Sequence, residues 1–270
     1  MLKGIDISNW QGKANINLPE VIRRNRLDFV IVKATEGQYY VDGYCDKFIQ
    51  EAEASGCDLI GFYHFADPRN DPVKEADYFM KHTAGYFGRY IPVLDLETRA
   101  ANAAAWACKF ISRVIDKKGV RPWLYSYLSY FNTYDFRSVK SLDVGFWLAE
   151  YKSSANITSW PSVTYTQPKY DLPICAYQFT SKGRLNGYPN NLDLDYFYGD
   201  RSAWLKYAAV NTATDPGLED HQKLIEELAG RVLAGQYGDG ERRKKALGLI
   251  YDEVQKTVND LSKEKKINEH

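Results

Sequence analysis

The chain has 270 residues, 44% of them apolar, enough for one large domain or for one such domain with a small module. Its 35 Lys and Arg balance 35 Asp and Glu, which argues against a nucleic-acid binder, whose affinity depends on excess positive charge. No apolar run is long enough to cross a membrane, so no membrane insertion is expected.

Met1-Leu2-Lys3 leads directly into an apolar run, and no signal peptide is visible there. Eight short apolar runs precede residue 200: Gly4–Ser8, Phe29–Lys33, Ile60–Phe65, Ile91–Glu97, Pro122–Tyr127, Phe146–Tyr151, Cys175–Thr180 and Leu192–Phe197. Helical signals separate the early ones. Asp71-Pro72-Val73-Lys74-Glu75 reads as a capped start with proline in the first turn. Ala100–Lys118 sets Ala103, Trp106, Phe110, Ile111 and Val114 along one stripe. Eight strands with alternating helices predict an α/β fold, a TIM-like (β/α) barrel. The helical signals fade into Ser-, Pro- and Tyr-rich loops after the fifth strand, so the barrel is expected to be irregular. Functional groups in such barrels gather at the C-terminal ends of the strands.

The barrel is expected over residues 1–207. Residues 208–217, small and unpatterned, read as a linker. Helical periodicity resumes over 218–265, with Leu224, Ile225, Leu228, Val232 and Leu233 before a Gly-rich turn, and Val254, Val258 and Leu261 after it. This predicts a small bundle of about three helices, near the lower size limit for independent folding. Ten Lys/Arg face twelve Asp/Glu over 215–270, so the run Arg242–Lys245 does not make the module a polycation. Cys45, Cys57, Cys108 and Cys175 lack metal-ligand spacing and lie in or beside apolar stretches, as small core residues do.

The run Ile91-Pro92-Val93-Leu94-Asp95-Leu96-Glu97 ends in two carboxylates. Side chains alternate along a strand, so Asp95 and Glu97 share a face, roughly 6–7 Å apart along the chain. Desolvating two adjacent charges is costly unless they are paired or open to a cavity. Asp6 lies in the first strand, and Asp193 and Asp195 in the last, which closure of the barrel makes neighbours. A single Asp at a strand end is usually a turn or cap residue. Several acids at one rim repel each other, and that favours a functional origin. The 21 Tyr, 12 Phe and 6 Trp fill the core and also suit a sugar chain with apolar faces.

Five segments occur in order and at suitable spacing: Gly4-Ile5-Asp6-Ile7-Ser8-Asn9-Trp10-Gln11-Gly12, Lys33-Ala34-Thr35-Glu36-Gly37, Gly61-Phe62-Tyr63-His64-Phe65, Val93-Leu94-Asp95-Leu96-Glu97 and Leu192-Asp193-Leu194-Asp195-Tyr196-Phe197. Together they resemble glycoside hydrolase family 25, the Chalaropsis-type lysozymes common among phage endolysins and bacterial autolysins, over about residues 2–205. The resemblance implies an irregular barrel of eight strands and about five helices. It also implies N-acetylmuramidase activity on the β-1,4 bond from N-acetylmuramic acid to N-acetylglucosamine, with bacterial peptidoglycan as partner and no cofactor or metal.

Carried over by position, Glu97 matches the general acid, and Asp95 matches the residue that orients the substrate's 2-acetamido group for attack on the anomeric carbon. Asp6 and Asp193 match the other two acids. Many relatives carry Asn where Asp195 stands, and a shared face with Asp193 would bring an extra charge near the site. Lys33, Tyr63, Tyr125, Trp147 and Gln178 fall where relatives line the groove. His64, one residue from Tyr63, should face the other way as a structural histidine.

The segment from Leu228 to Asn259, with Gly235-Gln236-Tyr237-Gly238-Asp239-Gly240-Glu241-Arg242-Arg243 at its centre, resembles a short cell-wall-binding repeat. That implies binding of the muropeptide, with Tyr237 and Arg243 as binding positions. Lacking a visible leader, the chain suits a monomeric endolysin made in the host cytoplasm and released to the wall at lysis. Two other classes stay open: a metal-dependent barrel hydrolase, since convergent carboxylates can hold Mg²⁺ or Mn²⁺, and a non-catalytic glycan-binding protein.

Overall fold

A computed structural model describes residues 1–210 and 216–268. The chain divides into two compact units, Met1–Val210 and Asn211–His270. Of the expected linker, residues 211–215 lie outside the described residues.

The first unit opens with β1 (Leu2–Ile7), α1 (Asn9–Lys13), α2 (Leu18–Asn25), β2 (Phe29–Glu36), the two-residue β3 (Tyr40–Val41), α3 (Cys45–Ala54) and β4 (Leu59–Phe65). It continues with α4 (Pro72–His82), β5 (Ile91–Asp95), α5 (Ala103–Lys118), β6 (Trp123–Tyr127), α6 (Leu128–Thr133) and α7 (Arg137–Lys140). It ends with β7 (Phe146–Ala149), β8 (Ile174–Gly183), β9 (Leu192–Phe197) and α8 (Arg201–Ala208). Five of these helices, α2 to α5 and α8, run eight residues or longer. The start of α4 is capped as its sequence predicts, with Asp71 Oδ1 accepting from the backbone N–H of Val73 and Lys74 and Pro72 in the first turn.

All eight expected strands form. The order β1-β9-β8-β7-β6-β5-β4-β2 closes through β1–β2 pairing into a barrel, with β3 as a short arm on the end of β2. Strands β1, β2 and β4–β8 run parallel, while β9 is antiparallel to both its neighbours. Antiparallel partners need no crossover helix, which is why none separates β8 from β9. The reversal brings β9 to the functional rim by its N-terminal end, carrying Asp193 there.

Interior side chains form layers. At the closed end Phe29, Leu59, Ile91, Trp123 and Phe197 pack together with Trp204 of α8, whose ring lies 4.7 Å from Phe29, 5.3 Å from Trp123 and 5.2 Å from Phe197. A Cβ on Gly4 would stand 2.3 Å from the Phe29 ring, so only glycine fits above that plug. At the open end the interior positions turn polar.

In the second unit α9 (Pro216–Leu233), α10 (Gly240–Leu247) and α11 (Tyr251–Asn268) enclose Ile225, Leu228, Ala229, Val232, Leu247, Val254 and Val258. Leu224, Leu233 and Leu261, expected on the apolar stripe, are exposed. The buried face of α9 runs 225, 228, 229, 232, the i, i+3, i+4, i+7 pattern, which leaves 224 and 233 at its margins.

Candidate active site

The open end of the barrel holds a cleft of about 320 Å³, lined among others by Asp6, Lys33, Tyr63, Asp95, Glu97 and Asp193. Strand β5 stops at Asp95, so Glu97 is not a strand residue as the apolar run suggests. It is held from β6 and α6 instead. Leu96 N–H donates to the Tyr125 carbonyl at 3.0 Å, Ser126 Oγ to the Leu96 carbonyl at 2.6 Å and Tyr130 Oη to the Thr98 carbonyl at 2.9 Å. These bonds keep Glu97 beside Asp95, close enough for its charge to raise Asp95.

Cross-strand register places the remaining acids. Asp6 lies opposite Asp193, and Asp195 lies opposite Gly4, one layer deeper. Asp193 and Asp195 therefore share a face as expected, but only Asp193 lines the cleft, while Asp195 is fully buried. Burial pushes the whole set up, and repulsion from neighbouring acids adds to it at Asp95, Glu97, Asp193 and Asp195. Asp6 rises to about 6, Glu97 rises above its ordinary value, and Asp95, Asp193 and Asp195 rise well above theirs.

Lys33 opposes this charge at a distance, lowering both Asp95 and Glu97. Its Nζ pairs with Glu36 Oε2 at 2.6 Å and stands 4.9 Å from the Phe65 ring centroid. The β2–β4 register shifts between Lys33 and Thr35, a bulge that re-aims side chains at the barrel mouth.

Tyr125, Trp147 and Gln178, expected as substrate contacts, line the cleft and bond chiefly to one another and to the acids. Gln178 Nε2 donates to Asp6 Oδ2 at 2.6 Å, and its Oε1 accepts from Tyr125 Oη at 2.8 Å and from Tyr151 Oη at 2.5 Å. Trp147 Nε1 donates to Asp195 Oδ1 at 3.0 Å. Tyr63 lines the cleft, its phenol pushed well up by burial and by the nearby Asp6 and Asp95.

His64 faces outward, wholly buried between Thr35 Oγ1 at 2.7 Å and Glu75 Oε1 at 2.9 Å. Burial holds its pKa down, and it takes no part in the cleft. Among the described residues no three His, Cys, Asp or Glu side chains are grouped to hold a metal ion.

Sequence reasoning missed Trp10 and Tyr151 as cleft residues. Trp10 is 74% exposed at the lip. Its helix α1 is locked by the Ser8–Gln11 capping box and by Asn9 N–H donating to Asp42 Oδ2 at 2.8 Å. A large ring held out in solvent by a rigid turn, two residues after the Ser8 that follows the acid-bearing strand, was the available signal.

In the second unit Arg243 donates to the Gly238 carbonyl at 2.7 Å and to Gln255 Oε1 at 2.8 Å, tying the Gly-rich turn to α11. The Arg231 guanidinium stands 5.4 Å from the centroid of the half-buried Tyr237 ring.

A barrel whose mouth gathers several carboxyls beside an exposed aromatic lip matches the paired-carboxyl chemistry of carbohydrate-cleaving enzymes. Comparison with known proteins narrows this class. The profile of the glycosyl hydrolases family 25 matches residues 5–188, and that of the CW_7 repeat matches 226–261. The autolytic lysozyme of Clostridium acetobutylicum is 28% identical over 199 residues, covering 73% of this chain. Lysozyme M1 of Streptomyces globisporus is 29% identical over 230 residues, covering 78%. The chain spans 56% of the first relative's length and 72% of the second's. Among solved structures, the bacterial lysozyme from Streptomyces coelicolor superposes with a TM-score of 0.64 at 27% identity, covering 78% of this chain and 98% of that one. The catalytic domain of endolysin ply40 from bacteriophage P40 of Listeria monocytogenes has the same fold, with a TM-score of 0.61 at 24% identity, covering 77% and 98%. The chain belongs to glycosyl hydrolases family 25 and carries a CW_7 repeat behind its barrel.

Proposed function

We propose that this chain is a lysozyme that hydrolyses the β-1,4 bond between N-acetylmuramic acid and N-acetylglucosamine in bacterial peptidoglycan. The observation that carries this reading is the convergence of Asp6, Asp95, Glu97 and Asp193 on one cleft at the open end of the barrel. Glu97, the less buried of the two and raised above its ordinary value, delivers a proton to the leaving oxygen as general acid. Asp95, fully inside the barrel wall, orients the 2-acetamido group so that its carbonyl attacks the anomeric carbon, a substrate-assisted route. Asp6 and Asp193 supply negative charge that favours the oxocarbenium-like transition state. Tyr63 and Lys33 contact substrate at the cleft wall, while Tyr125, Trp147 and Gln178 hold the acids in place.

The CW_7 repeat binds muropeptide through Tyr237 and the turn that Arg243 fixes. One repeat brings little avidity, so its effect is to concentrate the barrel at the wall. In this reading the protein is a monomeric endolysin that reaches peptidoglycan after release from the cytoplasm at lysis.

Mass spectrometry of digested peptidoglycan tests the activity. New reducing ends on muramic acid are expected; reducing ends on glucosamine, or cleaved peptides, would refute it.

A further inference from the structure

Asp195 is a fully buried carboxyl on the interior face of β9, below the cleft. One oxygen, Oδ1, accepts from Trp147 Nε1 at 3.0 Å. The other, Oδ2, is buried and meets no N–H or hydroxyl donor among the described residues. The Asp6 carboxyl lies beside it, and their contact holds Asp195 up and Asp6 down. Two ionised carboxylates in contact inside a barrel would leave an acceptor without a donor and a charge without a partner, and both are costly.

We propose that Asp195 is a positioning residue: its Oδ2 carries a proton and donates it to Asp6, which is thereby held ionised and aimed into the cleft. The remaining bonds fit this assignment. Gln178 Nε2 donates to Asp6 Oδ2 at 2.6 Å from the other side, and Gln178 is fixed by the hydroxyls of Tyr125 and Tyr151. Leaving aside the proton between them, Gln178 Nε2 and the Asp6 backbone N–H both favour the charged form of Asp6, while Trp147 Nε1 alone favours that of Asp195. The acid with more donors to its charged form is the one that ionises. Both acids are raised by burial, Asp195 well above its ordinary value and Asp6 only to about 6.

The titratable groups facing the pair from the rest of the barrel are Lys33 on β2, Tyr63 on β4, Asp95 with Glu97 beyond β5, Tyr151 beyond β7, and Asp193 on β9. Asp193 and Asp6 itself oppose a second charge at Asp195, and Lys33 is already paired with Glu36. The inference rests on the lysozyme reading only for its activity readout; the proton itself is measured independently.

Two variants of the full chain test the assignment. In Asp195→Asn the amide N–H₂ replaces the acid proton and the amide oxygen still accepts from Trp147, so peptidoglycan cleavage stays within about threefold of the parent. In Asp195→Leu the donor is gone. Activity is expected to fall about ten- to a hundredfold, and the acid limb of the kcat/KM profile to move to higher pH as Asp6 loses a bond that favours its charged form. Loss of activity in Asp195→Asn equal to that in Asp195→Leu would overturn the proposal, since it would mean that a charge at 195 is needed. An unshifted acid limb in folded Asp195→Leu would overturn it as well. Infrared difference spectra between parent and Asp195→Asn at neutral pH need no activity at all. One protonated-carboxyl band should vanish in the variant, and its persistence would refute the proton on Asp195 while leaving the lysozyme reading untouched.

Discussion

Asp6 of β1 and Asp193 of β9 stand directly opposite each other in an antiparallel register, so two carboxyls face one another across adjacent strands at the barrel mouth. Like charges in such positions destabilise a sheet. Burial and the neighbouring Asp6 raise Asp193 well above its ordinary value.

A folded-state pKa that is raised means that the native state holds the proton more tightly than the unfolded chain. The stabilising contribution is therefore present below the unfolded value of about 3.9 and is lost as pH rises through the folded value. Asp193→Asn keeps the neutral form at every pH. Its Tm should exceed the parent's by about 2–4 °C at pH 7, and the gap should close toward pH 4. Calorimetry across that range checks the sign.

Glu97→Gln removes the transferable proton without changing side-chain volume. Turnover of peptidoglycan should fall by about 10²–10⁴, with the circular dichroism spectrum and sedimentation with purified walls retained. Full activity in this variant would assign the acid elsewhere and reopen the metal-dependent reading.

Lys33 lowers both Asp95 and Glu97 by its positive charge. In Lys33→Met the proton on Glu97 should be held to higher pH, moving the alkaline limb of kcat/KM upward. A profile that stays in place would show that the Glu36 partner already cancels the charge felt at Glu97.

Trp10 offers a flat face at the lip of the cleft, and sugar rings stack on such faces. Trp10→Ala should raise KM for long glycan strands about three- to tenfold with little change in kcat. Equal losses in both constants would point to a disturbed Asp6 instead, since β1 leads directly into α1.

Arg243 ties the Gly-rich turn to α11 through Gly238 and Gln255. Arg243→Ala should weaken retention of the whole chain on purified walls, while Tyr237→Ala should weaken it without loosening that turn. Wall sedimentation together with amide exchange of residues 235–240 separates the two effects.

The eight strand runs were legible because parallel strands buried on both faces are nearly continuous in apolar residues, and such runs stand out locally. The acids were legible for the complementary reason, since a carboxylate inside an apolar run is a local exception. What the sequence by itself determined is thus the set of strands, the residues that interrupt them and the family they resemble. The direction of β9 was not local information. It follows from which neighbour that strand pairs with, and only that pairing carries Asp193 to the rim from the start of its strand. The same register decides that Asp195, two residues on and facing the same way, lies opposite Gly4 beneath the cleft. Alternation told that Asp193 and Asp195 share a face, but depth along a barrel axis is set by cross-strand hydrogen bonds. Glu97 is the remaining case. Its apolar run read as strand to the end, yet its place beside Asp95 is held by Ser126, Tyr130 and the Tyr125 carbonyl, contacts that exist only once β6 and α6 have packed against it.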